Sequence, residues 1–178
     1  MAKDLNDKTM DLSQAIQDLV TDGSHISIGG FTINRNPMAA VYELIRRKKR
    51  DLHLYAQSNG QVVDELVGGG VISKLEIAYG GSGRFAPTCI CFKRAVQKGT
   101  IGVEDYSNFQ MTLRFLAGTL GVPFLPTRSG MGSDILTCWG FSQETRSTDP
   151  KLPNKKAVVM DNPFGDWAET TKVVLVPA

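Results

Sequence analysis

The stretch Ser27–Pro37, SIGGFTINRNP, carries the first evidence for the fold of this chain. A short apolar strand runs into two adjacent glycines and a phenylalanine, and the chain restarts at Asn36-Pro37. Glycines have no Cβ, so their backbone N–H groups can come close to another group. Proline suits the first turn of a following helix, with Asn36 as its cap. The stretch therefore predicts a strand, a tight turn and a helix.

The same unit recurs along the chain on both sides of this stretch. Hydrophobic periodicity predicts helices at 11–20, 38–47, 61–67, 89–98 and 107–120, and strands at 25–30, 51–56, 74–79, 100–106 and 122–127. This alternation predicts one α/β domain over 1–178, with a mostly parallel sheet flanked by helices. After Asp134 the pattern is weaker: a polar loop at 147–156, a strand running into a turn at 156–164, and a last strand at 171–178.

Composition excludes several classes of protein. With 178 residues, 42% hydrophobic and 21% charged, the chain has the composition of a globular domain. A net charge of +2 gives no reason to expect nucleic acid as a partner. No apolar run approaches the roughly 20 residues that cross a bilayer, and no secretory signal is present, so we expect a cytoplasmic protein. Three unpaired cysteines and only two histidines argue against a zinc site.

Glycine and serine cluster where strands are predicted to end. In an open parallel sheet, ligands bind at the carboxyl ends of the strands. The candidate loops are Gly29–Pro37, Gln57–Gly60, Gly80–Pro87, Glu104–Ser107 and Thr127–Ser133. The clustering is a better signal of a ligand site than any one loop.

The two outermost glycine loops have different chemistry. Exposed amides at Gly29-Gly30-Phe31, before a helix N-terminus, would suit an oxyanion hole or a cradle for a thioester carbonyl. For an isolated Gly-Gly pair, a tight strand-to-helix turn is the favoured explanation. The loop Arg128–Ser133, RSGMGS, combines hydroxyls with a fixed positive charge, which suits a carboxylate or phosphate, although it lacks the G-K-[ST] of a P-loop. Taken without its context, this loop is better explained as a solvated loop.

The stretch Gly81–Ala86, GSGRFA, supports a rival interpretation. It matches G-x-G-x-x-A after a strand and before a helix, and Glu104 follows at the end of the next strand. This is near the spacing of a dinucleotide-binding fingerprint. Such fingerprints usually open their domain, whereas this one follows several earlier elements.

The sequence offers no obvious nucleophile. It has no G-x-S-x-G elbow, and neither His25 nor His53 is placed as a convincing base. Among the glutamates, only Glu104 falls at the carboxyl end of a strand with an expected view of the cleft. Either the chain binds without reacting, or another chain supplies the reactive group.

Four motifs, in this order, resemble the alpha subunit of the family I CoA-transferases, of the glutaconate CoA-transferase type. They are GGFTINRNPMAAVYELIR from Gly29, EDYS at Glu104–Ser107, LGVPFLP at Leu120–Pro126 and DNPF at Asp161–Phe164. The resemblance spans most of the chain from about Leu12. It displaces the dinucleotide interpretation.

The resemblance implies a heteromeric enzyme that moves CoA between an acyl-CoA and a short (di)carboxylic acid. The oxyanion loop would be Gly29, Gly30 and Phe31, and a beta subunit would supply a glutamate that becomes a glutamyl-CoA thioester. The assembly would be a heterodimer, a heterotetramer or larger, with CoA thioester as substrate and no permanently bound cofactor or metal. Candidate contacts to CoA or the substrate carboxylate are Asn34, Arg35, Ser82, Arg84, Arg128 and Ser129.

Two features separate this chain from the general family pattern. Ser27 stands where the pattern GxGGF has its first glycine, which favours the glutaconate branch. Alpha subunits of this kind are longer, so the resemblance implies an N-terminal portion. Relatives on the same scaffold hydrolyse CoA-linked rings or decarboxylate glutaconyl-type thioesters; in those chemistries Glu104 or Asp105 would be the base. A partner-binding subunit without catalysis is a further alternative.

Overall fold

The computed structural model describes residues 8–165 and 171–178. The predicted domain 1–178 therefore includes two short segments, 1–7 and 166–170, that lie outside the described residues. The second segment contains Glu169. The elements are, in chain order, α1 (Leu12–Leu19), β1 (His25–Ser27), α2 (Met38–Arg46), β2 (Leu52–Ser58), α3 (Gln61–Gly68), β3 (Ile72–Tyr79), α4 (Ile90–Lys98), β4 (Gly102–Asp105), α5 (Asn108–Leu120), β5 (Phe124–Thr127), a 3₁₀ turn (Asp134–Leu136), α6 (Gln143–Thr148), β6 (Val158–Asp161) and β7 (Lys172–Pro177).

The first four strands form a parallel sheet in the order β1-β2-β3-β4. This confirms the predicted α/β fold with a parallel sheet flanked by helices. One face of the sheet is apolar, with Leu54, Ala56, Leu75 and Ile77 buried in the main core together with residues of α2, α3 and α4. The sheet order places the ends of the four strands, and so their loops, along a single edge.

The other face of this sheet is polar, which is unusual for parallel strands. Tyr55, Glu76 and Glu104 are neighbours across β2, β3 and β4. Both glutamates are almost fully buried, at 1% and 0% exposure. Each is neutralised by an arginine: Arg114 of α5 pairs with Glu76, and Arg146 of α6 pairs with Glu104.

Glu76 sits at the centre of this polar layer. Its Oε1 lies 2.9 Å from His53 Nε2, and its other oxygen accepts from Arg114. Burial alone would raise the pKa of Glu76, but the contact with His53 and the charge of Arg114 outweigh it and lower the pKa to about 2. The carboxylate is therefore charged at neutral pH although it is buried.

The last strands form a separate sheet, in the order β5-β7-β6 and antiparallel throughout. The sequence prediction of a mostly parallel sheet did not foresee this. Val174 and Val176 of β7 are fully buried, and Arg114 Nε donates to Pro177 O (3.2 Å), which ties α5 to both sheets. On the opposite side, Phe124 and Met160 remain 45% and 40% exposed.

Several local predictions were wrong in detail. The helix after Pro37 begins at Met38, and Asn36 is not its cap: Asn36 Nδ2 donates instead to Thr32 O (3.0 Å). Helix α6 and the 3₁₀ turn were not predicted, because neither has a clear apolar period. On α1, Ile16 is the single buried residue. None of the helices in the two described ranges is long and apolar enough to cross a membrane.

Candidate active site

The loops at the carboxyl edge pack directly on one another. Thr32 N–H donates to Ser58 O, and Gly60 N–H returns a bond to Thr32 O, both at 3.0 Å. Gly60 in turn faces the loop after β3, because a Cβ built on it would lie 2.3 Å from Gly81 O and 2.6 Å from Ser82 Oγ. The three loops that follow β1, β2 and β3 therefore form one continuous surface, as the sequence predicted.

The remaining two loops join the same edge through hydroxyl and amide groups. Ser58 Oγ donates to Asn108 Oδ1 (2.5 Å) at the start of α5. Next to it, Ser107 Oγ and Ser129 Oγ share a hydrogen bond of 2.8 Å, and Gln110 Nε2 donates to Ser129 O (3.0 Å). Ser129 is thus brought to the carboxyl edge. Arg128 is exposed and lines a groove of about 500 Å³ on the second sheet.

The Gly29-Gly30-Phe31 turn is open to solvent. All three residues are exposed, Phe31 at 48%. Within the described residues, no hydrogen bond uses the N–H of Gly29 or Gly30. The N–H of Phe31 is committed, since it donates to Asn34 O (2.9 Å). Two unpaired amides, rather than three, are available to an incoming oxygen.

The backbone of this turn is held in unusual conformations. Gly30 has φ +116°, Thr32 +52° and Arg35 +57°. For a β-branched residue such as Thr32, a positive φ is a real outlier. Strain of this kind costs about 1–3 kcal/mol and persists where the surroundings fix it, often at functional sites. The hydrogen bonds of Thr32 to the end of β2 and the start of α3 hold it in place.

The other predicted contacts lie on these loops with their side chains outward. Asn34, Arg35 and Arg84 are exposed, and neither arginine makes a hydrogen bond or ion pair with the described part of the chain. Ser82 is half-buried against Gly60. Guanidinium groups in such positions are free to bind an anion.

A cavity of about 730 Å³ opens beside these loops. It is lined by Ile33 from the first loop, by Ser82 and Phe85 from the third, and by Asp64 and Glu65 of α3. The two acidic groups make it unsuited to the phosphates of a coenzyme.

The dinucleotide interpretation of Gly81–Ala86 is not supported by the local structure. In such a fingerprint the glycines lead directly into the helix, whose N-terminus holds the pyrophosphate. Here Ser82 N–H donates to Ala86 O (2.7 Å), which closes a separate turn, and α4 begins only at Ile90.

Glu104 does not face the cleft, so that expectation was wrong. It is fully buried, and its Oε2 pairs with Arg146. Its Oε1 accepts from Gly140 N–H (2.8 Å) and lies 3.5 Å from Lys156 Nζ. Strand alternation explains the error: Glu104 points to the polar underside of the sheet. The neighbouring Asp105 is exposed and pairs with Lys156 (2.9 Å).

The two histidines meet at the opposite end of the sheet from these loops. His25 Nε2 lies 2.7 Å from His53 Nδ1, and burial, followed by the proximity of His53, lowers the pKa of His25 to about 4. Asp149 is nearby, but its carboxylate already accepts from Lys74 Nζ (2.6 Å). Two nitrogen ligands of one tetrahedral zinc ion would stand roughly 3.3 Å apart. We therefore interpret the cluster as a hydrogen-bonded network, and the absence of a metal stays a prediction.

Sequence reasoning missed two asparagines that contact the Gly29–Gly30 turn. Asn59 is 1% exposed, and its Nδ2 donates to Gly29 O (3.4 Å). Asn36 packs against Gly30, where an added Cβ would lie 2.0 Å from Asn36 Oδ1. Both lie in loops that the sequence marked as candidates, Gly29–Pro37 and Gln57–Gly60, but no pattern in the sequence singled out their side chains as contacts of this turn.

Comparison with known proteins gives the family. The Coenzyme A transferase family matches residues 9–160. The chain is 36% identical over 170 residues to the A-subunit of glutaconate CoA-transferase from Acidaminococcus fermentans, covering 96% of this chain and 52% of that protein. It is 33% identical over 127 residues to the A-subunit of 3-oxoadipate CoA-transferase from Pseudomonas knackmussii, covering 70% and 44%.

The fold agrees with this match. The crystal structure of glutaconate coenzyme A-transferase from Acidaminococcus fermentans superposes with a TM-score of 0.89 at 36% identity, over 96% of this chain and 53% of that one. The chain spans about half the length of the curated relatives it matches. The family match, the sequence identity and the superposition lead to one conclusion: this chain belongs to the coenzyme A transferase family.

Proposed function

We propose that this chain is the alpha-type part of a heteromeric CoA-transferase, in which the amides of Gly29 and Gly30 bind the oxygen of an acyl group. The observation that carries the proposal is a strained, exposed turn at the carboxyl edge of the sheet, in which two N–H groups have no hydrogen-bond partner among the described residues. Oriented amides of this kind stabilise an oxyanion without reorganising during the reaction. Phe31 would form an apolar wall beside them.

The reactive carboxylate would come from a partner chain. A glutamate of that partner attacks the thioester carbonyl, the C–S bond breaks, and CoA leaves as thiolate, which gives an acyl-glutamyl anhydride. The thiolate then attacks the glutamyl carbonyl and releases the first carboxylate, which leaves a glutamyl-CoA thioester. A second carboxylate reverses these steps. Each step passes through a tetrahedral oxyanion, so one amide pair would serve them all.

Cationic and hydroxyl groups around the turn would hold the substrates. Arg35 lies in the loop after β1 and Arg84 in the loop after β3, and both side chains are exposed. A free guanidinium suits a carboxylate or phosphate. Asn34, Ser82, Arg128 and Ser129 remain weaker candidates. The assembly would be a heterodimer, a heterotetramer or larger, in the cytoplasm.

Transfer is favoured over hydrolysis or decarboxylation because of Glu104. Either alternative calls for a carboxylate base on this chain facing the substrate. Glu104 is instead enclosed by Arg146, Lys156 and backbone amides. The second candidate, Asp105, is exposed, but its carboxylate is held by Lys156 Nζ at 2.9 Å. The relatives from Acidaminococcus fermentans and Pseudomonas knackmussii are both named as CoA-transferase subunits.

Borohydride trapping tests the proposal. The chain is assembled with its beta-type partner subunit, incubated with acyl-CoA and reduced, and each polypeptide is weighed intact by mass spectrometry. We expect reduction of one glutamate on the partner and no change on this chain. Turnover without an adduct would contradict transfer, and an adduct on this chain would contradict the division of roles.

A further inference from the structure

Asn59 occupies a special position below the proposed oxyanion turn. It follows directly after β2, is 1% exposed, and is fixed by its own N–H, which donates to Tyr79 O (2.9 Å) at the end of β3. Its Nδ2 donates to the carbonyl of Gly29 at 3.4 Å. The side chain therefore reaches the turn from the interior of the protein.

This contact determines where the next amide points. In a trans peptide the C=O and N–H groups lie in one plane and point in opposite directions, and the described residues include no cis peptide. Because the Gly29 carbonyl is directed inward to Asn59, the N–H of Gly30 is directed away from the interior. Gly30 is exposed and its N–H is unpaired within the described residues, which agrees with this orientation.

The Gly29–Gly30 peptide has a second accessible orientation, in which the carbonyl and the N–H exchange directions. Peptides next to glycine rotate easily, because glycine populates positive and negative φ about equally. A half-turn of the Gly29–Gly30 peptide would direct the carbonyl to solvent and the N–H inward. The bond from Asn59 exists in only one of these two states and therefore favours the outward N–H.

We propose that Asn59 is a positioning residue that keeps the Gly30 N–H directed into the active site. The proposal rests on the function proposed above for that N–H. Asn59 does not contact the reacting atoms; it acts through the Gly29 carbonyl. Its Oδ1 is buried and has no hydrogen-bond partner among the described residues. The buried side chain therefore contributes to the turn through its donor alone.

Two variants test the proposal. Asn59→Asp has nearly the same shape but replaces the donor by an oxygen, and Asn59→Leu removes it without adding charge. In the assembled enzyme we expect kcat to fall by about ten- to a hundredfold, because an N–H that points away from the oxyanion lowers kcat almost as much as a missing N–H would. We expect KM to change less than about threefold. The control is Leu54→Ala, a buried core residue of β2 away from the turn, which lowers stability and should leave kcat unchanged.

A second measurement is independent of enzyme activity. Paramagnetic relaxation of the ¹⁵N-labelled chain by a gadolinium chelate in solution reports how close each amide proton lies to solvent. We expect strong relaxation of the Gly30 amide proton in the wild type and weaker relaxation in both Asn59 variants, while the amide protons of β2 stay the same. A protected Gly30 amide proton in the wild type, or unchanged relaxation and kcat in both variants, would overturn the proposal. Absence of CoA transfer by the wild-type complex would instead count against the proposed function alone.

Discussion

At the scale of single residues, the turn after β1 depends on space as much as on conformation. Gly30 combines a positive φ with the close approach of Asn36, so a side chain at this position would meet both a conformational and a steric penalty. Nothing lies within 4 Å of a Cβ added at Gly29. The space and backbone conformation therefore require glycine at position 30, whereas there is room for a side chain at position 29. The Gly-Gly motif alone does not distinguish the two positions.

His25 makes the stability of the protein depend on pH. Its pKa is about 4 in the folded chain against an ordinary value of 6.5, so between these values the unfolded chain binds more protons. The free energy of unfolding should therefore fall as the pH is lowered from 6.5 to 4. Urea unfolding across this range is the measurement, with His25→Gln as the comparison. Equal slopes for the two proteins would contradict the assignment to His25.

At the scale of elements, the polar face of the first sheet joins the two sheets. Arg114 of α5 reaches Glu76 on β3 and the carbonyl of Pro177 on β7, and its guanidinium lies over the rings of Tyr55 and Tyr106 at 4.9 and 4.4 Å. One side chain thus connects a helix and both sheets.

Removing that side chain should be costly. Arg114→Leu leaves Glu76 charged and buried, and we expect a loss of about 3–5 kcal/mol in the free energy of unfolding. The double variant Glu76→Leu/Arg114→Leu should recover a large part of the loss, because the uncompensated charge is gone. Urea unfolding of the three proteins measures both effects. A single variant within about 1 kcal/mol of the wild type, or a double variant no better than the single one, would contradict this account.

Elements with strong hydrophobic periodicity were predicted well, and polar or pairing-dependent features were not. The strands and helices up to Leu120 agree with prediction to within a few residues. The direction of Glu104 depends on strand alternation relative to the core, which a four-residue strand leaves ambiguous. The antiparallel pairing of β5, β6 and β7 depends on contacts between distant segments that local sequence does not encode.

At the scale of the whole molecule, the candidate site lies on loops that meet at one edge of the first sheet. The sequence predicted that these loops meet, because glycine-rich segments after parallel strands converge by topology. It could not reveal that the N–H of Phe31 is already bonded, or that Asn59 supports the turn, since both depend on packing between loops. The chain offers amides and cations at this edge, and in our proposal the nucleophile belongs to another polypeptide.

The most direct test of the central claim removes a single N–H group. Ligation at Cys89 allows the preceding segment to be made synthetically, with glycolic acid in place of Gly30, so that an ester oxygen replaces the amide N–H and the carbonyls remain. In the complex with the partner subunit we expect kcat for CoA transfer to fall by about 10²-fold or more, while the same exchange at Gly70, in the exposed turn between α3 and β3, has little effect. A Gly30 ester protein with kcat within about threefold of the amide form would contradict the claim that this N–H stabilises the acyl oxygen.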